Sequence, residues 1–219
     1  MLNKFIFCTI IFVLSVSIRF AQTDDEYNGF EVFGGYSNNQ VDVGSTNNSN
    51  FSSMFKSREH LGGVEASGVK NISRFVGIKG DFSANFREIN FTVPRTIGGT
   101  ATESLKLDAS LYNFLGGVQF KDNRKEGSRV RPFGHALVGA AYVRTSVKSY
   151  TTGFCNAQGV SCTGLDNDDT GFAAALGGGL DVKATNRLSI RAIQADYNPT
   201  RLNGTTQHNF RFSIGVVFH

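Results

Sequence analysis

The sequence is poor in charge and, beyond its first residues, contains no long apolar run. Charged residues make up 18% of the 219 residues, against roughly 25% in an average soluble domain. After the first 20 residues the longest apolar stretch is 172–180, far short of the roughly 20 residues that a membrane-spanning helix needs. A helical span is therefore excluded there, and any membrane insertion of this part must use a closed barrel of strands.

Signals of several functional classes are also missing. The formal charge is only +4, and without Lys4 and Arg19 of the leader described below, 20 basic residues face 18 acidic ones. This excess is too small to indicate a nucleic-acid partner. No Gly-x-Ser-x-Gly turn is present, and the four histidines lack the spacing of a helical zinc motif. Residues 166–171 resemble a calcium loop, but its twelfth position is Gly177 instead of Glu. We expect no enzyme, no metal and no cofactor.

The first residues have the pattern of an export signal. Lys4 provides a positive start, residues 5–18 form an uncharged and mostly apolar run, and Ala21 supplies a small residue for cleavage. The run of 14 residues is shorter than a membrane-spanning helix, although a permanent anchor is the alternative. We expect residues 1–21 to be a cleaved signal peptide and residues 22–219 to form one domain.

Two cysteines remain after the leader, Cys155 and Cys162, in a polar stretch that contains glycine. An exported chain meets an oxidising compartment, in which disulfides form and persist. We therefore expect a disulfide within a loop, with two free thiols as the alternative.

Alternation of apolar and polar residues indicates eight strands. The clearest case is the last, in which Phe210, Phe212 and Ile214 alternate with Arg211 and Ser213. The predicted strands are 30–37, 61–70, 74–86, 105–120, 130–148, 172–183, 187–198 and 209–218. In the seventh, the apolar positions change phase by one residue, which indicates a β-bulge or the tapering end of the strand.

The connections between these strands alternate in length. Residues 38–60, 87–104 and 149–171 form long connections, residues 71–73, 121–129 and 184–186 form shorter ones, and residues 199–206 join the final pair. Short periplasmic turns and longer outer loops are typical of bacterial barrels. With the N-terminus in the periplasm, the first, third, fifth and seventh connections would face outward.

Charges near the middle of the strands predict which face points inward. Arg or Lys near the bilayer midplane costs roughly 2 to 4 kcal/mol, so we expect these charges to share the lumen and pair there. The candidate cluster consists of Glu65, Lys79, Asp81, Asp181 and Arg211. Small residues would make room for them, namely Ala173, Ala175, Gly177 and Gly179. The alternative is a soluble barrel with its Phe-rich faces inside.

These segments resemble small outer-membrane proteins of the OmpA/OmpX-like β-barrel class. The resemblance rests on the leader, on Gly-Gly-Tyr at 34–36, on the alternating segment 210–218, and on residues 191–201 with Gln194 and Asp196. It implies an all-β fold, an eight-stranded antiparallel up-and-down transmembrane barrel in the bacterial outer membrane.

In this class the terminal strand usually ends on an aromatic residue that the insertion machinery reads. Phe210, Phe212 and Phe218 are the candidate assembly signal, although His219 follows the last aromatic residue. OmpA-type chains continue into a periplasmic peptidoglycan-binding domain, and we expect none here.

The function expected from these features is structural or a surface interaction, with a lumen plugged by side chains and long extracellular loops. The expected partners are outer-membrane lipid, the barrel-insertion machinery and extracellular or host surface molecules, and we expect a monomer. One alternative is a small-solute, porin-like channel. The other is a soluble, exported, lipocalin-like barrel that binds a ligand.

Overall fold

Eight antiparallel strands make up most of the chain that the structure, a computed structural model, describes: residues 27–42, 58–94, 102–150, 167–202 and 204–219. The strands are β1 (Phe30–Asp42), β2 (Arg58–Asn71), β3 (Val76–Pro94), β4 (Thr102–Lys121), β5 (Val130–Tyr150), β6 (Asn167–Lys183), β7 (Leu188–Leu202) and β8 (Thr205–Phe218). Each strand pairs with the next, and β1 pairs with β8 to close a barrel. The predicted fold is therefore confirmed. Within the described ranges no helix is long and apolar enough to cross a membrane.

Several predictions concern residues outside these ranges. The expected leader 1–21 and the expected disulfide between Cys155 and Cys162 lie outside the described residues. They stay predictions.

The connections differ between the two ends of the barrel. At one end, here the turn end, residues 72–75, 122–129 and 184–187 join the strands. At the other, here the loop end, residues 43–57, 95–101, 151–166 and 203–204 join them. The strands extend further toward the loop end than predicted, so the connections there are shorter than the sequence pattern indicated.

The expected connection 199–206 was wrong, because β7 runs to Leu202 and β8 begins at Thr205. Gly204 has φ +74°, a left-handed conformation that glycine adopts without steric cost. Pro199 lies within β7 and pairs with His208 of β8. Since proline has no N–H to donate, pairing with β6 skips this position, and the side-chain amide of Asn198 donates instead to the carbonyl of Ala174 (2.7 Å).

The two faces of the sheet differ in polarity. In β8, Phe212 and Ile214 point outward and are exposed, whereas Arg211 and Ser213 are buried inside the barrel. Large apolar side chains of all eight strands are exposed in the same way. The soluble alternative required them inside, so the structure contradicts it.

The predicted change of phase in the seventh strand is present. The pairing of β7 with β8 shifts register between Arg191 and Gln194, and both of these side chains are buried in the lumen. Because β7 continues to Leu202, the irregularity lies within the strand and is not its tapering end.

Candidate functional site

Charged and amide side chains from all eight strands meet inside the barrel. They form two neighbouring groups. The Arg211 cluster consists of Glu65, Lys79, Asp81, His135, Gln194, Asp196 and Arg211, and the Lys121 cluster consists of Glu31, Lys121, Asp181 and Arg191. All of these residues occupy inward positions of their strands, where period-two alternation places every second side chain in the lumen. In β7 the register shift between Arg191 and Gln194 brings both to this face.

Arg211 binds three carboxylates from three other strands. Its Nη1 lies 2.7 Å from Asp81 Oδ1 and its Nη2 2.7 Å from Asp196 Oδ2. Its Nε lies 3.6 Å from Glu65 Oε2. The Arg211 side chain has no solvent exposure (0%), so these carboxylates supply the compensation that a buried guanidinium requires.

Lys79 and His135 extend this cluster. Lys79 Nζ lies 3.4 Å from Asp81 Oδ2 and 3.4 Å from His135 Nδ1. An ammonium group can only donate hydrogen bonds, so the contact assigns Nδ1 as an acceptor and the ring proton to Nε2. His135 Nε2 then faces Asp196 Oδ1 at 3.0 Å. Gln194 completes the group, since its amide donates to Glu65 (2.9 Å) and Asp196 (2.8 Å).

The Lys121 cluster lies nearer the turn end. Lys121 Nζ lies 2.9 Å from Glu31 Oε2 and 2.8 Å from Asp181 Oδ2. Arg191 Nε lies 2.8 Å from Asp181 Oδ1. The Arg191 guanidinium also lies 4.4 Å from the centre of the Phe33 ring and 4.0 Å from that of Phe133, a favourable cation–π arrangement.

Four of the five predicted lumen charges meet in the Arg211 cluster, namely Glu65, Lys79, Asp81 and Arg211. The fifth, Asp181, lies in the Lys121 cluster. The two clusters are connected, because Arg191 Nη1 donates to Gln194 Oε1 at 2.8 Å. The structure therefore places the predicted residues in one continuous network across the lumen.

Six of the eleven residues in the two clusters are absent from the predicted set. Lys121 was assigned to a connection, although it is the last inward position of β4. The bulge concealed the facing of Arg191, Gln194 and Asp196 in β7. His135 is weighed above only as one of the four histidines, and Glu31 is absent from the candidate cluster. Strict alternation continued to the strand ends would have found Glu31, Lys121 and His135.

The small residues of β6 lie in two different parts of the barrel interior. A Cβ atom at Gly177 would meet the Ala195 carbonyl and Asp196 Oδ1, so the absence of a side chain there makes room for the Arg211 cluster as expected. Ala173 and Ala175 differ from the expectation, because they pack with Leu111, Leu115 and Leu137 in an apolar part of the interior. This apolar part lies against β4, β5 and β6.

The residues of the expected assembly signal lie on the outer face of β8. Phe210, Phe212 and Phe218 are exposed, and their reading by insertion machinery stays a prediction. His219, which follows Phe218, turns inward: its Nε2 lies 2.9 Å from Ser189 Oγ and its Nδ1 3.6 Å from Glu31 Oε1. The residue after the terminal aromatic thus contacts the Lys121 cluster.

Comparison with known proteins identifies a family and several solved structures with a similar fold. The sequence profile described as "Outer membrane protein beta-barrel domain" matches residues 8–218. Ail of Yersinia pestis is 16% identical, with 87% of this chain and 99% of that chain covered and a TM-score of 0.51. Neisserial surface protein A (14% identity, 89% and 99% covered, TM-score 0.49) and OprG of Pseudomonas aeruginosa (12%, 90% and 98%, 0.47) are also similar. No curated protein sequence matches the chain.

Proposed function

The chain belongs to the outer membrane protein β-barrel domain family and is a barrel of the bacterial outer membrane, and we propose that its role is structural or a surface interaction, with a lumen closed by ion-paired side chains. The observation that carries this proposal is the burial of the lumen network. Its largest members, Arg191 and Arg211, are 1% and 0% exposed. Every strand contributes at least one member. An eight-stranded barrel is just wide enough for such side chains to fill it.

A small-solute channel is the alternative, and it requires a continuous water path past both clusters. Planar-bilayer recording tests this directly. We expect no reproducible unitary steps from the folded chain, and such steps would overturn the closed-lumen proposal. The double variant D81A/R211A removes one carboxylate and one cation, so it keeps the net charge of the lumen. We expect this variant to conduct, which also shows that the recording would detect an open barrel.

We propose the loop end as the extracellular contact surface. Three of its connections, 43–57, 95–101 and 151–166, contain 15, 7 and 16 residues, while the turn end has short connections, as in bacterial barrels generally. Cells that carry the chain with residues 46–54 and 154–163 replaced by Gly-Ser repeats should lose adherence to host cells or matrix. Unchanged adherence would contradict the surface-interaction role, provided that gel mobility shows that the altered barrel is still folded.

The disulfide belongs to the same proposal, because a bridge between Cys155 and Cys162 would constrain the longest of these connections. Intact mass after alkylation tests it. We expect no added alkyl group without reductant and two after reduction. Alkylation of both thiols without reductant would contradict the bridge.

We also propose that residues 1–21 are removed on export, that the end of β8 is read by the barrel-insertion machinery, and that the barrel is a monomer. The intact mass of the purified protein should equal the mass calculated for residues 22–219. F218A should reduce the amount of folded barrel in the outer membrane, and light scattering in detergent should give the mass of one chain.

We propose no catalytic role for the lumen network. Its carboxylates and cations are paired with one another, and each is almost completely shielded from solvent. A reacting group would need access to a substrate.

A further inference from the structure

Among the residues that the structure describes, the turn end of the barrel carries more basic than acidic side chains. Outside the lumen, the side chains described at this end include seven basic residues, namely Lys70, Arg74, Arg124, Lys125, Arg129, Lys183 and Arg187. They include two acidic residues, Asp122 and Glu126. Lys70, Lys125, Arg129 and Arg187 are exposed to solvent.

Asp122 neutralises only part of this charge. Its Oδ2 lies 2.7 Å from Arg124 Nη2, and its Oδ1 lies 3.3 Å from Arg74 Nε. Hydrogen bonds from Arg124, and next from Arg74, hold the pKa of Asp122 well below its usual range. One carboxylate is therefore shared by two arginines, and the described residues at this end keep a net positive charge.

The loop end has no such excess. Beyond the two lumen clusters, its described side chains comprise six basic residues, Arg58, Arg87, Lys106, Arg144, Lys148 and Arg201, and six acidic ones, Asp42, Glu59, Glu88, Asp108, Asp168 and Asp169. Several are paired: Arg87 with Glu59 at 2.8 Å, and Lys148 with Glu88 and with Asp108 at 3.1 Å each. The positive charge of the turn end is thus a local feature.

Hydrogen bonds to backbone carbonyls bring several basic residues together on one side of the turn end. The backbone N–H of Lys183 donates to the Arg129 carbonyl (2.7 Å), and Lys183 Nζ donates to the Lys125 carbonyl (3.0 Å). Arg131 Nη2 donates to the Arg124 carbonyl (2.6 Å). These contacts hold the connection 122–129 against the end of β6 and place Lys125, Arg129 and Lys183 close together.

This charge lies directly beside the apolar surface that faces lipid. Phe120 and Phe218 are exposed on the outer face at the turn end (54% and 57%). The Arg74 guanidinium lies 4.5 Å from the centre of the exposed Phe75 ring. Membrane barrels carry girdles of aromatic residues at both interfaces, and we therefore expect these cations to lie at the depth of the headgroup phosphates.

We propose that the turn end binds anionic phospholipid headgroups of the leaflet it meets. The proposal rests on the proposed function, in which the loop end is extracellular and the turn end therefore meets the inner leaflet. Each basic residue near an anionic membrane surface strengthens the binding of the protein to that surface about fivefold. This binding weakens at high salt, because salt screens the charges. The preferred lipid is therefore phosphatidylglycerol over the zwitterionic phosphatidylethanolamine.

Spin-labelled lipids in vesicles that contain refolded residues 22–219 test the proposal. This chain keeps Asp24, Asp25 and Glu26, so the acidic residues that precede Tyr27 take part in the measurement. The phosphatidylglycerol label should associate with the barrel about fivefold more strongly than the phosphatidylethanolamine label at low salt. The difference should shrink at high salt.

Two matched quadruple variants locate the effect. K125Q/R129Q/K183Q/R187Q removes four cations from the turn end and should abolish the preference. R58Q/K106Q/R144Q/R201Q removes four from the loop end and should preserve it. No preference in the parent chain, a preference that survives the first variant, or one lost in the second would each overturn the proposal. Bilayer conductance is a separate readout, so an open lumen would not affect this result.

Discussion

Arg211 is the residue on which the lumen network depends most. It contacts Glu65, Asp81 and Asp196, and removal of one partner from a buried ionic group costs roughly 3 to 5 kcal/mol, because the remaining charges stay buried without compensation. We expect R211A to lower the free energy of unfolding by this amount. The sequence has no Trp, so unfolding in urea is best followed by circular dichroism and gel mobility.

Arg201 provides the control for this prediction. It is exposed at the loop end, and R201A should change stability by less than about 0.5 kcal/mol. D196N in the R211A background should restore part of the loss, since it removes one uncompensated carboxylate. Equal stability of R211A and the parent chain would show that the carboxylates do not require Arg211.

Gly177 tests whether the lumen has space for additional side chains. A Cβ atom there would meet the Ala195 carbonyl and Asp196 Oδ1, so G177A should destabilise the barrel by about 1 to 3 kcal/mol through overpacking. Gly80 faces outward, and a Cβ atom there would meet nothing within 4 Å, so G80A should be neutral or stabilising by up to about 1 kcal/mol. The difference between their urea midpoints measures the effect. Equal midpoints would contradict a tightly filled interior.

The β7–β8 hairpin depends on the left-handed conformation of Gly204 (φ +74°). A Cβ atom at Gly204 would meet no atom within 4 Å, so the effect of an alanine there comes from the backbone alone. G204A should cost about 1 to 2 kcal/mol. G204N should cost less, because asparagine tolerates this conformation better than other non-glycine residues. A larger loss in G204N than in G204A, measured by urea unfolding, would rule out this explanation.

Alternation of residues predicted that the eight strands exist but not where they end. Contrast between an apolar and a polar face arises only where one face meets lipid. Toward the loop end both faces become polar, as at Asn38, Asn39 and Gln40 in β1, and the pattern then looks like a loop. The Asn-Gly pair at 203–204 was the better signal, because it is a strong indicator of a two-residue hairpin.

The lumen network was also predicted only in part from the sequence. Lys79, Asp81 and Arg211 were found because each alternates with large apolar residues in the middle of a strand. The sequence could not pair them, since which inward side chains meet across the barrel depends on register. Arg191 and Gln194 also share a face only because the register of β7 shifts between them.

The molecule is asymmetric along the barrel axis, because its two ends differ in charge and in the length of their connections. Counted over the described residues, the turn end is basic and the loop end carries balanced charge, and the surface between them is apolar. The loop end also has the longer connections. A barrel of the bacterial outer membrane has its short turns in the periplasm and its longer loops outside. The direction of insertion therefore decides whether the basic residues meet phospholipid or the cell exterior.

We expect the loop end to face the cell exterior, and single cysteines can test this. In a C155S/C162S background, T206C places a thiol at the loop end and N186C places one at the turn end, both at exposed positions. A maleimide on a polymer too large to cross the outer membrane should label T206C in intact cells and N186C only after the membrane is permeabilised. The reverse pattern would contradict both the extracellular role of the loops and the lipid contact of the turn end. Labelling of both sites in intact cells would mean that the barrel does not span the membrane in a single orientation.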